Sequence, residues 1–404
     1  MSKLGPGPGF LKFDTNTFGA HTADMPPRLY ITADDDELDS TLLQHFDEEG
    51  FHTTYLPLGK DGKAYRDGLR HLADDLELGE NYALIAFGEA ATHCLEAHTK
   101  PQPHLVALVA YYPTSITSPN AKFPPHLEVL THLAGTQNFA PSHPSYTYPS
   151  ASPGFAERDL EETYDKVSAN LAWTRTLRVL RKAFKIEVDL EKIWEDHVAL
   201  EFATKDAAAT MRTMVPQPYV NHIPTLTGGI GAKDLFIFYR DYFIPQNPPS
   251  LTMKLVSRTI GTDRVVDEFI ISFKHTTTIP WMLPDVPPTD KTVHVAMVSV
   301  VCIRGGKLYH EHLYWDQASV LVQVGLLDPK LVPESMQKQG LKQLPVYGKE
   351  TAEKVLDESC WESNELISSW NDRPRGDPGA KVPPKPKEAA STNGAGTNGV
   401  GDHE

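Results

Sequence analysis

From residue 28 onward, short continuous apolar runs alternate with stretches of helical spacing. Leu29, Tyr30, Ile31 and Thr32 make the first run. Leu38, Leu42, Leu43 and Phe46 then recur at three- and four-residue intervals, which predicts a helix over 37–46. Further strands are predicted at 51–58, 82–87, 105–112 and 127–133, and helices at 65–76, 89–98 and 160–184. Continuous apolar strands between amphipathic helices predict a mostly parallel sheet covered on both faces, an α/β unit over 28–184.

The period changes near Lys185. Residues 191–214 predict a helix capped by Asp189, with Ile193, Trp194, His197, Val198, Leu200, Phe202 and Met211 on one broad side. Residues 219–231 read as a loop ending in Gly228-Gly229, and a helix follows at 232–244. Strands are predicted at 251–260, 264–276, 292–304 and 307–316, with Gly305-Gly306 as the last hairpin turn. Helices followed by an antiparallel meander predict an α+β unit over 189–330, its helices on one face of a curved sheet. Residues 331–370 carry a weaker signal, with a helix predicted at 352–370. Residues 1–27 and 371–404 are rich in Pro, Gly and small polar residues and read as a flexible leader and tail.

Length agrees with this division, because 404 residues exceed one ordinary core. The formal net charge of -15 repels polyanions, so neither nucleic acid nor an anionic membrane is expected as a partner. No apolar run has the length of a membrane span, and residues 1–20 hold no apolar core of signal-peptide length. Cys94, Cys302 and Cys360 are far apart and form neither a metal spacing nor a disulfide framework. The expectation is a cytoplasmic protein without a metal or other cofactor, acting on a small molecule.

Candidate chemistry is densest over 307–327, where Tyr309, His310, Glu311, His312, Tyr314 and Asp316 stand within a few residues. In a regular strand His310, His312, Tyr314 and Asp316 share one face, and Tyr309, Glu311, Leu313 and Trp315 the other. The first face reads as the pocket side. His310 reads as a rim residue and Glu311 as the partner of an Arg or Lys across the sheet. Over 264–276 one face carries Val265, Asp267, Phe269, Ile271, Phe273 and His275, so Asp267 and His275 are a polar pair on an apolar surface. Trp194, His197, Tyr239 and Trp281 are candidates for a pocket wall or for plain core.

The strand Tyr82–Phe87, Gly88 and the helix after it resemble a nucleophile elbow. With Ala134-Gly135-Thr136-Gln137, Tyr146-Thr147-Tyr148-Pro149-Ser150-Ala151-Ser152-Pro153-Gly154-Phe155-Ala156 and Leu171-Ala172-Trp173-Thr174-Arg175-Thr176-Leu177, residues 28–184 resemble the dienelactone hydrolase family. That resemblance implies an α/β-hydrolase-like sheet. Gly88, Gln137 and Pro153 stand where it would put nucleophile, acid and histidine, so it implies a sheet that has lost its triad. A hydrolase using other residues is the alternative. Cys94 reads as a packing thiol, and Glu89 as a charge at a helix N-terminus.

The second half resembles the SnoaL-like polyketide cyclases of the nuclear-transport-factor-2-like superfamily. The residues that carry this are 219–229, Asp263-Arg264-Val265-Val266-Asp267-Glu268, and 311–323. The resemblance implies a cone-shaped curved antiparallel sheet with helices, holding a carboxyl group in an apolar ligand cavity. It places Asp316 as the catalytic acid or base, with His312 orienting it and Tyr314 beside them. By its place in the loop before Pro224, Asn221-His222 is expected at the mouth of such a cavity, and Asp267, His275, Tyr314, Trp194, His197 and Trp281 are expected as further substrate contacts. The implied activity is cofactor-free acid–base cyclisation or isomerisation of a small oxygenated molecule, polyketide-like, a lactone or an epoxide. The alternative is a non-catalytic ligand-binding or dimerisation module, and a homodimer through the cone is expected in either case. Asp316 has an equal second reading as the N-cap of a helix from Gln317.

Overall fold

The apolar runs of the first half pair side by side because they are hydrophobic on both faces. The computed structural model describes residues 26–116 and 119–372. The expected leader, apart from Pro26 and Pro27, and the expected tail, apart from Asn371 and Asp372, lie outside those residues. Strands β1 (Arg28–Ala33), β2 (His52–Pro57), β3 (Tyr82–Phe87), β4 (Leu105–Tyr111), β5 (Glu128–Ala134) and β6 (Ser145–Tyr148) form one sheet in the order β2-β1-β3-β4-β5-β6. All its pairings are parallel. The strand order reverses direction at β1, which puts helices on both faces of the sheet. Helices α1 (Ser40–Glu48) and α4 (Lys166–Phe184) pack on one face through Phe46, Trp173 and Leu177. Helices α2 (Gly62–Gly68) and α3 (Gly88–Ala97) cover the other through Tyr65, Ala91, Cys94 and Leu95. Strand β6 lies within a stretch that reads as loop. Its Tyr148 hydroxyl meets His132 of β5 at 2.9 Å, and Tyr146 lies under the Arg175 guanidinium.

The second sheet holds β7 (Met214–His222), β8 (Thr227–Ile230), β9 (Thr252–Ile260), β10 (Arg264–Lys274), β11 (Thr292–Arg304) and β12 (Lys307–Trp315), in the order β8-β7-β12-β11-β10-β9. It is mixed, not a pure meander, because β7 pairs parallel with β12. Residues 219–231, expected as a loop, are the end of β7 and all of β8. Pro216 and Pro218 fall in the irregular stretch between the paired residues Met214 and Tyr219, where a missing N–H does no harm. One helix was expected over 191–214. The chain instead makes α5 (Leu190–Ala199), a π-helical turn at Leu200–Thr204 and α6 (Ala207–Arg212). The helix expected at 232–244 is α7 (Ala232–Ile237) followed by a second π turn, Phe238–Phe243. After β12, helix α8 (Gln317–Val324) ends at Gly325 in the left-handed conformation.

Both sheets belong to one compact unit that ends at Glu358, and a separate unit starts at Ser359. The β11–β12 turn presses against the α1/α4 face of the parallel sheet. Buried Glu49 accepts from the Gly305 N–H (3.0 Å) and from Arg181 (2.8 Å), and Arg304 donates to Asn170 (2.8 Å) while lying over the Tyr309 ring. The helix expected at 352–370 is confined to Glu350–Leu356. Among the described residues no helix is long and apolar enough to cross a membrane.

Candidate functional site

The concave face of the second sheet and the helices over it enclose a cavity of ≈ 440 Å³. Strand alternation sends Asp267, Phe269 and Ile271 of β10, Met297 and Ser299 of β11, and Glu311 and Leu313 of β12 into it. Trp194 and Val198 of α5 and Trp281 close it from above. Both π turns contribute: Glu201 and Phe202 come from the first, Phe238, Tyr239 and Phe243 from the second. A π turn inserts one residue into the helical repeat and re-aims the side chains that follow. Glu201 nonetheless stays on the His197 side of its helix, four residues on.

Each polar group in this apolar space has a traceable partner. Asp267 accepts from Trp194 Nε1 (2.8 Å) and from Arg258 Nε (2.7 Å) and Nη2 (2.9 Å). Arg258 Nη1 also bonds Glu191 (3.0 Å) and Glu195 (2.9 Å), so every nitrogen of that guanidinium is engaged. Glu201 lies 3.1 Å from His197 Nε2, and His197 Nδ1 lies 2.6 Å from Thr213 Oγ1. Buried His222 holds Thr227 Oγ1 at 2.9 Å, and burial lowers its pKa to about 3, so the ring is neutral at ordinary pH.

Glu311 differs from the other cavity acids. It is 7% exposed and accepts from the Ser299 hydroxyl at 3.1 Å. Among the described residues it is the cavity carboxyl with no ion-pair partner. Burial first, and then the charge of Glu201, push its pKa up to about 7, against the opposing pull of His197 and Ser299. The Tyr239 hydroxyl, hydrogen-bonded to Glu201, is raised well above its ordinary range by burial and by the charges of Glu201 and Glu311 beside it, so it stays protonated. The arrangement is a poised acid with a phenol donor and a neutral imidazole, in a pocket walled by aromatic rings.

Trp194, His222, Asp267, Trp281 and Tyr239 line the cavity as the sequence suggests, and His197 is buried behind it against Glu201. The other expected residues are elsewhere. Asp316 is exposed and caps α8, accepting from the Ala318 N–H at 3.0 Å. His312 lies on the opposite face of β12, stacked on His310 with ring centroids 5.0 Å apart and against Tyr219. Tyr314 is exposed on that same face, and Asn221, which pairs with His312 across β7–β12, alternates away from His222. His275 is buried beyond the end of β10, where its Nδ1 accepts from the Thr289 N–H (3.3 Å).

The strand alternation is right and the choice of face is wrong. Leu313 and Trp315 are the buried pair of β12, and Glu311 shares their face. Apolar neighbours, not the number of polar ones, mark the inward side. Tyr309 departs from that parity because it is the extra residue of a bulge: Leu308 pairs with Ile303 and His310 with Cys302. Sequence reasoning set Glu311 aside and did not raise Glu201, Ser299 or Arg258. The usable signal was Glu311-His312-Leu313-Tyr314-Trp315, an acid in register with two large apolar residues.

In the parallel sheet, Gly88 has φ +60, and a Cβ there would lie 2.3 Å from Asp34 Oδ2. That carboxylate accepts from the Glu89 (2.9 Å) and Ala90 (2.8 Å) N–H groups and fills the space above the turn. Gln137 is folded into its own loop, bonded to the Ala134 N–H and the Pro113 carbonyl. Burial pushes the Cys94 thiol up to about 12, where it is inert. The all-parallel sheet is that of an α/β layer; a hydrolase relationship is not shown.

No family model matches this chain, and neither does any curated protein. Solved structures do resemble part of it. TsrD from Streptomyces laurentii is 16% identical, covering 35% of this chain and 100% of its own with a TM-score of 0.29. A protein assigned as a SnoaL-like polyketide cyclase from Jannaschia sp. CCS1 is 17% identical over 35% of this chain and 98% of its own, TM-score 0.27. A protein from Catenulispora acidiphila with a ketosteroid isomerase-like fold is 15% identical over 33% of this chain and 93% of its own, TM-score 0.27. The structural neighbours over about a third of the chain include proteins described as SnoaL-like and as NTF2-like.

Proposed function

We propose that the cavity is an acid–base site of the cyclase or isomerase kind, with Glu311 as the group that moves the proton. Its carboxylate takes a proton from a carbon next to a carbonyl group. The electron pair of that C–H bond moves into the carbonyl oxygen, where the Tyr239 hydroxyl, turned from its hydrogen bond to Glu201, donates to the resulting enolate. The enolate carbon then attacks a second carbonyl of the same molecule to close a ring, or, where the substrate is an enone, the conjugated dienolate takes the proton back from Glu311 at its remote carbon. On ring closure the proton ends on the new alkoxide. The Thr225 and Thr227 hydroxyls both point at the Trp281 carbonyl (2.7 and 2.9 Å), so Thr227 accepts from His222 Nδ1–H. His222 Nε2 is then an acceptor that orients a substrate hydroxyl. With Arg258 already engaged by three carboxylates, no free cation faces the pocket among the described residues, which favours an uncharged, largely apolar, oxygenated substrate.

The observation that carries this reading is Glu311 itself, a buried carboxyl with no ion-pair partner among the described residues, its pKa pushed up to about 7, matched to proton transfer near neutrality. Hydrogen–deuterium exchange tests it. A panel of cyclic ketones and enones in D2O is followed by proton NMR for loss of the protons next to the carbonyl. The reading requires exchange that is saturable in ketone, competes with cavity binding and disappears in Glu311→Gln.

A further inference from the structure

A second buried proton site stands behind Glu311. His197 is 1% and Glu201 is 4% exposed, and the two face each other across 3.1 Å between Nε2 and Oε1. On its other side His197 Nδ1 meets Thr213 Oγ1 at 2.6 Å. The Thr213 hydroxyl in turn lies 2.7 Å from the Thr210 carbonyl, an atom that can only accept. A hydroxyl has one proton. With that proton on the Thr210 carbonyl, Thr213 Oγ1 must accept from His197 Nδ1–H. Nε2 would then turn a lone pair toward a carboxylate oxygen unless a further proton lies between them.

We propose that His197 and Glu201 share that proton, and that this positioning pair sets how tightly Glu311 holds its own. The inference rests on the acid–base reading of Glu311, because it assigns the pair a role toward that carboxyl. The groups facing the pair are Thr213 in the turn ahead of β7, Tyr239 in the second π turn and Glu311 on β12; Asp267 on β10 acts on Glu311 and is itself neutralised by Arg258. The Glu201 charge favours a proton on Glu311, and the positive charge of His197 opposes it. The shared proton lets the two effects partly cancel. His197 stands back from the cavity, while Glu201 reaches its wall beside Tyr239 and Glu311. Glu201 follows His197 by four residues, the spacing that puts two side chains on one helix face.

Nitrogen-15 NMR of histidine-labelled full-length protein, with the His197 signals identified by their loss in His197→Asn, reads the shared proton directly. The inference predicts at pH 7 either an imidazolium or an Nδ1–H ring whose Nε2 shift shows a strong hydrogen bond. A neutral ring protonated at Nε2 alone overturns it, and this measurement on the native chain needs no variant to fold beyond the assignment. Carbon-13 labelling of glutamate carboxyls supplies the second arm, with Glu311 identified by its loss in Glu311→Gln. Glu201→Gln should move the Glu311 midpoint down by about one pH unit and His197→Asn should move it up. A midpoint unmoved in folded Glu201→Gln also overturns the inference. Absence of ketone exchange with a shared proton present would instead count against the acid–base reading alone.

Discussion

The Ser299 hydroxyl donates to Glu311 Oε1 at 3.1 Å across the β11–β12 pair, both side chains buried on the cavity side of the sheet. This bond favours the ionised carboxyl, against the much larger push from burial. Ser299→Ala should therefore raise the Glu311 midpoint further and shift the basic activity of the site toward higher pH. The expected displacement is about half to one unit, read from a pH–rate profile of ketone exchange, with a stability loss of about 1 kcal/mol. An unchanged profile would mean that the hydroxyl does not address the carboxyl.

Glu311 also makes stability depend on pH with a definite sign. Its pKa in the folded chain, about 7, lies above the ordinary glutamate value. Its contribution is fully present below the unfolded pKa and is lost as pH rises through about 7. Glu311→Gln stays neutral and escapes that loss. The variant should match the native chain near pH 4.5 and exceed it at pH 8, by on the order of 1–3 kcal/mol in denaturant unfolding. A variant less stable than native at pH 8 would contradict the assignment of a raised pKa.

Asp267 holds two buried donors at once, Trp194 Nε1 and the Arg258 fork. Asp267→Ala leaves the indole N–H without its acceptor and releases Arg258 from its best partner. A destabilisation of about 3 kcal/mol is expected, together with loss of ligand binding as Trp194 moves. Asp267→Asn keeps one acceptor oxygen and should lose less, and thermal unfolding of the two variants side by side separates the cases.

The contact between the two sheets is tested at the β11–β12 turn. Gly305 has φ +54, and a Cβ there would lie 2.8 Å from the Glu48 carbonyl oxygen; Gly306 has φ +69 and open space around it. Gly306→Ala should cost about 1 kcal/mol from backbone conformation alone. Gly305→Ala adds the clash with α1 and should unfold at a temperature lower by several degrees more. Equal midpoints would mean that the turn does not press on α1.

Much of the fold was legible because periodicity reports burial. The strands of the parallel sheet and β9 through β12 stand close to where apolar runs and alternation put them. What escaped has local causes. Strand β7 carries Pro216 and Pro218 at an interruption in its pairing and so reads as loop. The π turns at Leu200–Thr204 and Phe238–Phe243 leave no periodic mark. Glu201, four residues after His197, escaped because it is a charge on a side read from its apolar residues. The candidate site was half legible. Trp194, His222, Asp267, Trp281 and Tyr239 do line the cavity, and β12 does supply an acid to it. The acid is Glu311, not Asp316, because Leu313 and Trp315 decide which face of the strand is inside. The bulge at Tyr309 adds a reversal that alternation alone cannot show.

Glu311 and Asp316 stand on opposite sides of the central claim, and one comparison separates them. Ketone proton exchange is measured for native protein, Glu311→Gln and Asp316→Asn under the same conditions. The account predicts a loss of about 10²–10⁴-fold for Glu311→Gln and a change of no more than about twofold for Asp316→Asn, whose residue caps α8 in solvent. Exchange that survives in Glu311→Gln and vanishes in Asp316→Asn would contradict it.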